Sequence, residues 1–214
     1  MPESQPPSQP SAVPPAAAAA QPYIARRPKR ADGAKNYDAI LAAARKAFEA
    51  HGSEAALEDV AGQAGVAIGT LYRHFPTRAA LVEAATRDGL ADLVAHAAQA
   101  GGEPDPLAAL TAWMQRAVRH FSTFRGLVGI LTQSMYDEGT PSHAACAAMH
   151  EGGAELLARA QAAGLVRPEL TTDELFDLLS AVAWVRENAS AERDGSSRLL
   201  ENFLTGVVLP EPAA

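Results

Sequence analysis

Two short apolar-periodic runs, Leu57 to Ala64 and Ile68 to Phe75, are separated only by Gly65, Val66 and Ala67. That spacing restricts the fold more than any other feature of the chain. Helices of about two turns are unstable alone, so both must dock on neighbours. Ala61 supplies a small side chain where the first helix meets the second. Gly65 follows where the chain must turn sharply and φ must become positive. Val66 plugs the corner, and Leu71 and Phe75 anchor the second helix to a core. The pattern is a helix-turn-helix. It leaves Ile68, Gly69, Thr70, Tyr72, Arg73 and His74 on or near the outward face, where a short helix can enter a DNA major groove.

The chemistry of that outward set suits DNA. Tyr72, Arg73 and His74 can donate hydrogen bonds to phosphate. Thr70 can do the same or touch a thymine methyl. Gly69 allows close backbone approach, and Ile68 offers apolar contact only. Arg78 falls at the start of the next helix, where its charge and the helix N-terminal amides can grip one phosphate together. The net charge of −7 opposes this until it is divided along the chain. Ile24 to Ala80 holds nine Lys/Arg against six Asp/Glu, whereas Leu81 onward holds nine against eighteen. The positive charge lies where a DNA-reading element needs it, and the acidic remainder helps orient docking.

The rest of the chain reads as helical. Hydrophobic residues make up 48% but aromatics only 6%, with abundant alanine, the best helix former. An all-α chain of about nine helices is expected. Residues 1–22 are rich in Pro, Ala, Gln and Ser and are expected to be disordered. Arg26, Arg27, Lys29 and Arg30 form either a solvated charge run or a basic arm that tracks phosphates or enters a minor groove. The first helix is read from Tyr37 to His51, with Ile40, Leu41, Ala44, Ala47 and Phe48 on one face. A fourth runs from Arg78 to about Gln99. Five more follow, at Pro106–Phe124, Leu127–Tyr136, Ser142–Ala163, Thr171–Ala189 and Arg198–Val208. The expected division is a tail with basic arm (1–30), a three-helix DNA-binding domain (31–80) and a helical ligand-binding and dimerisation domain (81–214).

Several function classes are disfavoured. There is no Gly-rich phosphate loop, His-Glu-x-x-His, Gly-x-Ser-x-Gly or paired-Cys motif, so an enzyme is not expected. The single cysteine, Cys146, allows no intrachain disulfide and fits a reducing cytoplasm. No apolar run is long enough to span a bilayer, and the N-terminus does not read as a signal peptide. His143, Cys146 and His150 could share a helix face, and such ligands suit Zn or Cu. Yet i and i+7 lie about 10 Å apart along a helix axis, so pocket lining or a plain polar face is the preferred reading and no metal or other cofactor is expected.

Residues 38–81 resemble the DNA-binding region of the tetracycline-repressor (TetR) family. The matching stretches are Ile40-Leu41-Ala42-Ala43-Ala44 with Phe48 and Gly52, Val60-Ala61-Gly62-Gln63-Ala64-Gly65-Val66, Gly69-Thr70-Leu71-Tyr72-Arg73-His74-Phe75-Pro76, and Leu81. The resemblance implies that Ile68 and Gly69 face bases. Thr70, Tyr72 and His74 would contact the DNA backbone, Arg73 would lie at the groove, and Arg78 would contact phosphate. Where such proteins usually carry a Ser or Thr cap before the second and third helices, this chain has Ala56 and Ala67. Each lost cap costs about 0.5–2 kcal/mol of helix stability.

The resemblance also implies a C-terminal domain that dimerises and holds a small-molecule pocket. The stretch Leu156 to Pro168 is similar to a common form of that domain. Leu175, Leu179, Val182, Leu200, Phe203 and Val207 are the expected dimer interface, forming a four-helix bundle with a second copy. Packing of these stripes within one chain is the alternative. Trp113, Phe121, Met135, Met149 and Trp184 are the expected pocket residues, with plain core as the alternative for each. The expected function is a homodimeric repressor on a palindromic operator in double-stranded DNA, released by an apolar or amphipathic effector. A stand-alone small-molecule carrier is the rival reading, distinguished by its lack of salt-dependent DNA binding.

Overall fold

Helix formation starts at Ala31, ahead of the Tyr37 start that the apolar pattern suggests, because Ala34 and Tyr37 extend the buried face of Ile40, Ala44 and Phe48 by one more turn. Asp32 in that first turn complements the helix dipole. The structure, a computed structural model, describes residues 23–123, 125–189 and 196–209, the side chains of 196 and 197 excepted. The expected disordered stretch 1–22 and Phe124, the expected end of the fifth helix, lie outside the described residues.

Among the described residues the protein is all-α, with nine helices: α1 (Ala31–His51), α2 (Leu57–Gln63), α3 (Ile68–His74), α4 (Arg78–Ala100), α5 (Pro106–Phe121), α6 (Leu127–Tyr136), α7 (His143–Ala162), α8 (Thr172–Asn188) and α9 (Ser196–Val207). The only other regular pairing among them is an antiparallel bridge between Val166 and Val208. It is extended by Arg167 N donating to Val207 O and Leu209 N donating to Leu165 O, 3.0 Å each, which clip the end of α9 to the α7–α8 turn.

Helices α1 to α3 form a head, and α4 runs on continuously, about 34 Å at 1.5 Å per residue, from the head into the body made with α5 to α9. The body packs α4 and α5 against α7 at very short range. A side chain at Gly152 would stand 2.7 Å from the Ala97 methyl, and one at Gly153 would stand 2.6 Å from the Trp113 ring. The Trp113 ring is wholly buried there, its Nε1 donating to Leu93 O at 3.1 Å. Arg159 on α7 donates to the carbonyls of Ala100 and Glu103, both at 2.8 Å, and holds the turn between α4 and α5. A capping box starts α8: Glu174 N donates to Thr171 Oγ1, and the Glu174 carboxylate accepts from Thr171 N. Those bonds hold the Glu174 carboxyl below its ordinary range.

The two kinds of glycine make a test. Gly153→Ala drives a methyl into the Trp113 ring and should destabilise by about 1–3 kcal/mol. Gly129 in α6 has open space around its Cβ position, so Gly129→Ala should instead stabilise by about 0.5–1 kcal/mol through helix propensity. Urea unfolding at one fixed protein concentration measures both.

Candidate nucleic-acid interface and cavity

The turn between α2 and α3 is built from backbone. Val66 N donates to Ala61 O at 3.0 Å and Gly65 N to Gly62 O at 3.1 Å, with Gly65 at φ 69°. Ala61, Leu71 and Phe75 are buried, and Phe75 stacks at 4.9 Å on Tyr37 of α1. Neither α2 nor α3 has a side-chain cap, since Ala56 and Ala67 occupy the cap positions. Glu58 and Asp59 in the first turn of α2 offset part of that loss.

Docked in this way, α3 exposes Gly69, Tyr72 and Arg73, whereas Ile68, Thr70 and His74 are half-buried. Ile68 packs against the edge of the core. The His74 ring lies edge-on to Tyr37, and burial together with Arg73 holds its pKa below the ordinary imidazole value. His74 is therefore a neutral donor or acceptor at neutral pH rather than a phosphate-binding cation.

Two expected phosphate contacts are engaged elsewhere. The Arg78 guanidinium turns inward, its Nη1 donating to Ser53 O and Ala55 O at 2.7 Å each. It therefore staples the α1–α2 loop to the start of α4 instead of projecting outward. Arg27 makes a two-point ion pair with Asp38 on α1, at 2.7 and 2.6 Å. Ahead of it, Ala25 is fully buried and its carbonyl accepts from Arg87 on α4 at 2.8 Å. Arg87 also pairs with the buried Glu83 one turn earlier, which raises its pKa. The arm is thus tied to α1 and α4. Arg26, Lys29 and Arg30 remain exposed, their side chains making no hydrogen bond or ion pair among the described residues.

Beyond its packing on α4, the head touches the body at Ser53. Ser53 N donates to Arg125 O, in the α5–α6 loop, at 2.7 Å, while Ser53 O accepts from Arg78. Gly52 and Gly126 flank this contact with φ of 81° and 85°, and a side chain at Gly52 would stand 2.8 Å from Arg125 O. Gly126 N in turn donates to Glu187 of α8. Apart from Arg78, whose expected role was different, none of these partners was legible as a site in the sequence, although two glycines flanking short loops were a visible signal. Between α4 and α5, His120 lies against Gly89, and its Nε2 has no hydrogen-bond partner.

A cavity opens in the body between α5, α6, α7 and α8. It spans about 440 Å³ including its mouth, of which only about 30 Å³ admits the centre of a water molecule. That is room for about two waters, so a drug-sized guest must part the walls. Of the five expected pocket residues, Phe121, Met135 and Met149 line it. Trp113 does not, because its ring is used in the α4–α7 core. Trp184 does not either: it is 59% exposed on the outer side of α8. Leu131, Phe176 and Asp177 also line the cavity and were missed by a reading that favoured Trp and Met.

The expected dimer residues divide as well. Leu175, Leu179, Val182 and Leu200 are 0 to 5% exposed within a single chain, so they face their own core and cannot present a surface to a partner. Phe203 and Val207 are half-buried, and Trp184 on α8 and Leu199 on α9 are exposed large apolar residues. The three residues weighed as metal ligands serve separate contacts. His143 Nδ1 lies 3.0 Å from Ser134 O, Cys146 is buried, and His150 bonds Asp173 at 3.3 Å and stacks on Phe176 at 4.6 Å. Burial pushes the Cys146 thiol up to about 12, so it is unreactive at neutral pH. Among the described residues no group of three potential metal ligands converges, and no helix is long and apolar enough to cross a membrane.

Comparison with known proteins agrees with this arrangement. Residues 40–85 match the family model of bacterial regulatory proteins, tetR family. Residues 105–208 match that of the transcriptional regulator SbtR-like C-terminal domain. A TetR transcriptional regulator from Streptomyces coelicolor is 34% identical, with the alignment covering 82% of this chain and 99% of that one at a TM-score of 0.58. A TetR transcription regulatory protein from Mycobacterium vanbaalenii is 33% identical over 85% and 100%, at 0.52. No curated protein matches the chain.

Arg78 and His120 each give a stability test. Arg78→Ala leaves two carbonyls without their charged donor and should cost about 1–3 kcal/mol in urea unfolding. Burial lowers the His120 pKa from 6.5 to about 4, against a smaller opposing effect of Asp92. Between those two values the unfolded chain binds a proton that the folded chain does not, so stability should fall as pH drops through that window. In His120→Leu that part of the pH dependence should be absent.

Proposed function

The chain belongs to the TetR family of bacterial transcriptional regulators, and on that premise we propose that it is a homodimeric repressor whose grip on a palindromic operator is released by a small molecule in the body cavity. One observation carries the coupling. The wall of the cavity formed by α6 begins at Leu127, two residues after the Arg125 carbonyl that holds Ser53 in the head.

The DNA-reading surface is α3, with Gly69 giving close approach and Tyr72 and Arg73 bonding phosphate beside the groove. Thr70 and Ile68 contribute at its edges, and Arg26, Lys29 and Arg30 add charge from the arm. Arg78 acts indirectly, by fixing the start of α4 against the α1–α2 loop. Two copies pair through the outer sides of α8 and α9, with Trp184, Leu199, Phe203 and Val207 covered. The paired α3 helices then meet half-sites about 34–36 Å apart. The protein acts in the cytoplasm, where its operator lies.

Release begins with expansion of the cavity. Among its walls α6 is weakly held, with only Leu127, Leu131 and Ser134 buried. Outward motion of α6 draws the Arg125 carbonyl away from Ser53 N. Arg78 transmits the shift to α4 and, through Phe75 to Thr77, to α3. By linkage the operator weakens effector binding by the same factor, with couplings of about 1–3 kcal/mol typical.

The reading is tested by recovering genomic fragments bound to the full chain and titrating the enriched sequence. A palindrome is expected, with affinity falling steeply as salt rises. Arg73→Ala should weaken binding across sequences and reduce the salt slope by about one. Binding indifferent to salt, or to loss of Arg73, would contradict the assignment of α3 as the reading helix.

A further inference from the structure

The cavity is chemically lopsided. Its apolar side is made by Phe121, Val128, Leu131, Met135 and Met149. Its polar groups are Thr132, Tyr136, His150, Asp177 and Ser180, and no Lys or Arg lines it. Helix α6 carries no charged residue at all, and the charges on the first two turns of α8 are all acidic: Asp173, Glu174 and Asp177. Two of those three are already engaged. Asp173 pairs with His150, and Glu174 closes the capping box of α8. Asp177 is exposed, and its carboxylate has no hydrogen bond or ion pair among the described residues. It stands at the rim, shared with an outer groove that also holds Arg167, without an ion pair between them. The Phe176 ring lies next to it in the chain and also lines the cavity.

We propose that the cavity takes an amphipathic amine, its apolar or aromatic body among Phe121, Leu131, Met135 and Met149 and its ammonium at Asp177. This deepens the effector-gated reading and rests on it. Three physical points favour a cation over an anion or a plain hydrocarbon. Asp177 is the unpaired carboxylate at the mouth. A carboxylate-bearing guest would meet that charge with no Lys or Arg to offset it. The other charges on the first two turns of α8, Asp173 and Glu174, are acidic too, which favours a cation near the mouth. Ser180 and Thr132 supply neutral partners for the remaining polar atoms of the guest. A pair reached by solvent is worth little, yet attraction of one probe and repulsion of the other together amount to about tenfold in affinity.

The test uses three probes of one ring system: naphthalen-1-ylmethylamine, naphthalen-1-ylmethanol and 1-naphthoate. Each is titrated calorimetrically into the full chain and into Asp177→Asn, and operator release is followed separately by fluorescence anisotropy. The amine should bind about tenfold more tightly than the carboxylate, with the alcohol between them. In Asp177→Asn the spread should shrink to within about threefold, while retained binding of the alcohol shows an intact cavity. The proposal is overturned if the carboxylate binds as well as the amine, if the spread survives in Asp177→Asn, or if no probe binds. Amine binding that leaves operator affinity unchanged would instead overturn effector gating and leave the ligand class standing. Operator release by amine and carboxylate alike would do the reverse.

Discussion

The backbone of Ser53 is gripped on both sides of its Cα, and the rest of the account depends on that grip. Its N–H is held by Arg125 of the α5–α6 loop and its carbonyl by the Arg78 guanidinium at the start of α4. The charged hydrogen bonds of Arg78 are of the stronger kind, and two of them converge on one short loop. The head is thus not merely joined to the body through α4. It is also pinned at a second point, and a helix held at two points transmits tilt as well as translation.

The body around this joint is uneven in stiffness. Helices α4, α5 and α7 approach so closely at Gly152 and Gly153 that a methyl group has no room, and Trp113 fills the space between them. Interiors packed to that density do not deform gradually. Helix α6, by contrast, has three buried residues and abuts a narrow cavity open to solvent at its mouth. A guest therefore displaces the element with least to lose, and that element starts beside the Ser53 joint. Stiff core and soft wall together direct the strain of binding toward the head.

Much of the fold was legible because its determinants are local. The periodicity of Ile40, Ala44 and Phe48, the glycine at position 65 and the cap-and-break signals at Thr77, Pro106, Gly126 and Gly164 each act within a few residues. The helices they announce are present, with ends displaced by a turn at most except at α1. The helix-turn-helix was legible for the same reason, and so were the missing caps at Ala56 and Ala67. What the sequence hid was direction. Arg78 and Arg27 look like free cations, but their partners, Ser53, Ala55 and Asp38, lie 11 to 25 residues away. Leu175, Leu179 and Val182 form a stripe that suits an interface equally well, yet α5 and α7 cover it within the same chain. Trp113 and Trp184 are alike in composition and opposite in exposure, because the glycine that admits Trp113 to the core is on another helix.

The central claim is that the Ser53–Arg125 hydrogen bond opens and closes with the state of the cavity. Amide hydrogen exchange at Ser53, resolved by NMR in the free protein, with operator DNA and with a guest in the cavity, measures it directly. The account predicts slowest exchange with operator and fastest with a guest. Equal exchange in all three states, in a protein whose operator is nonetheless released by the guest, would contradict it.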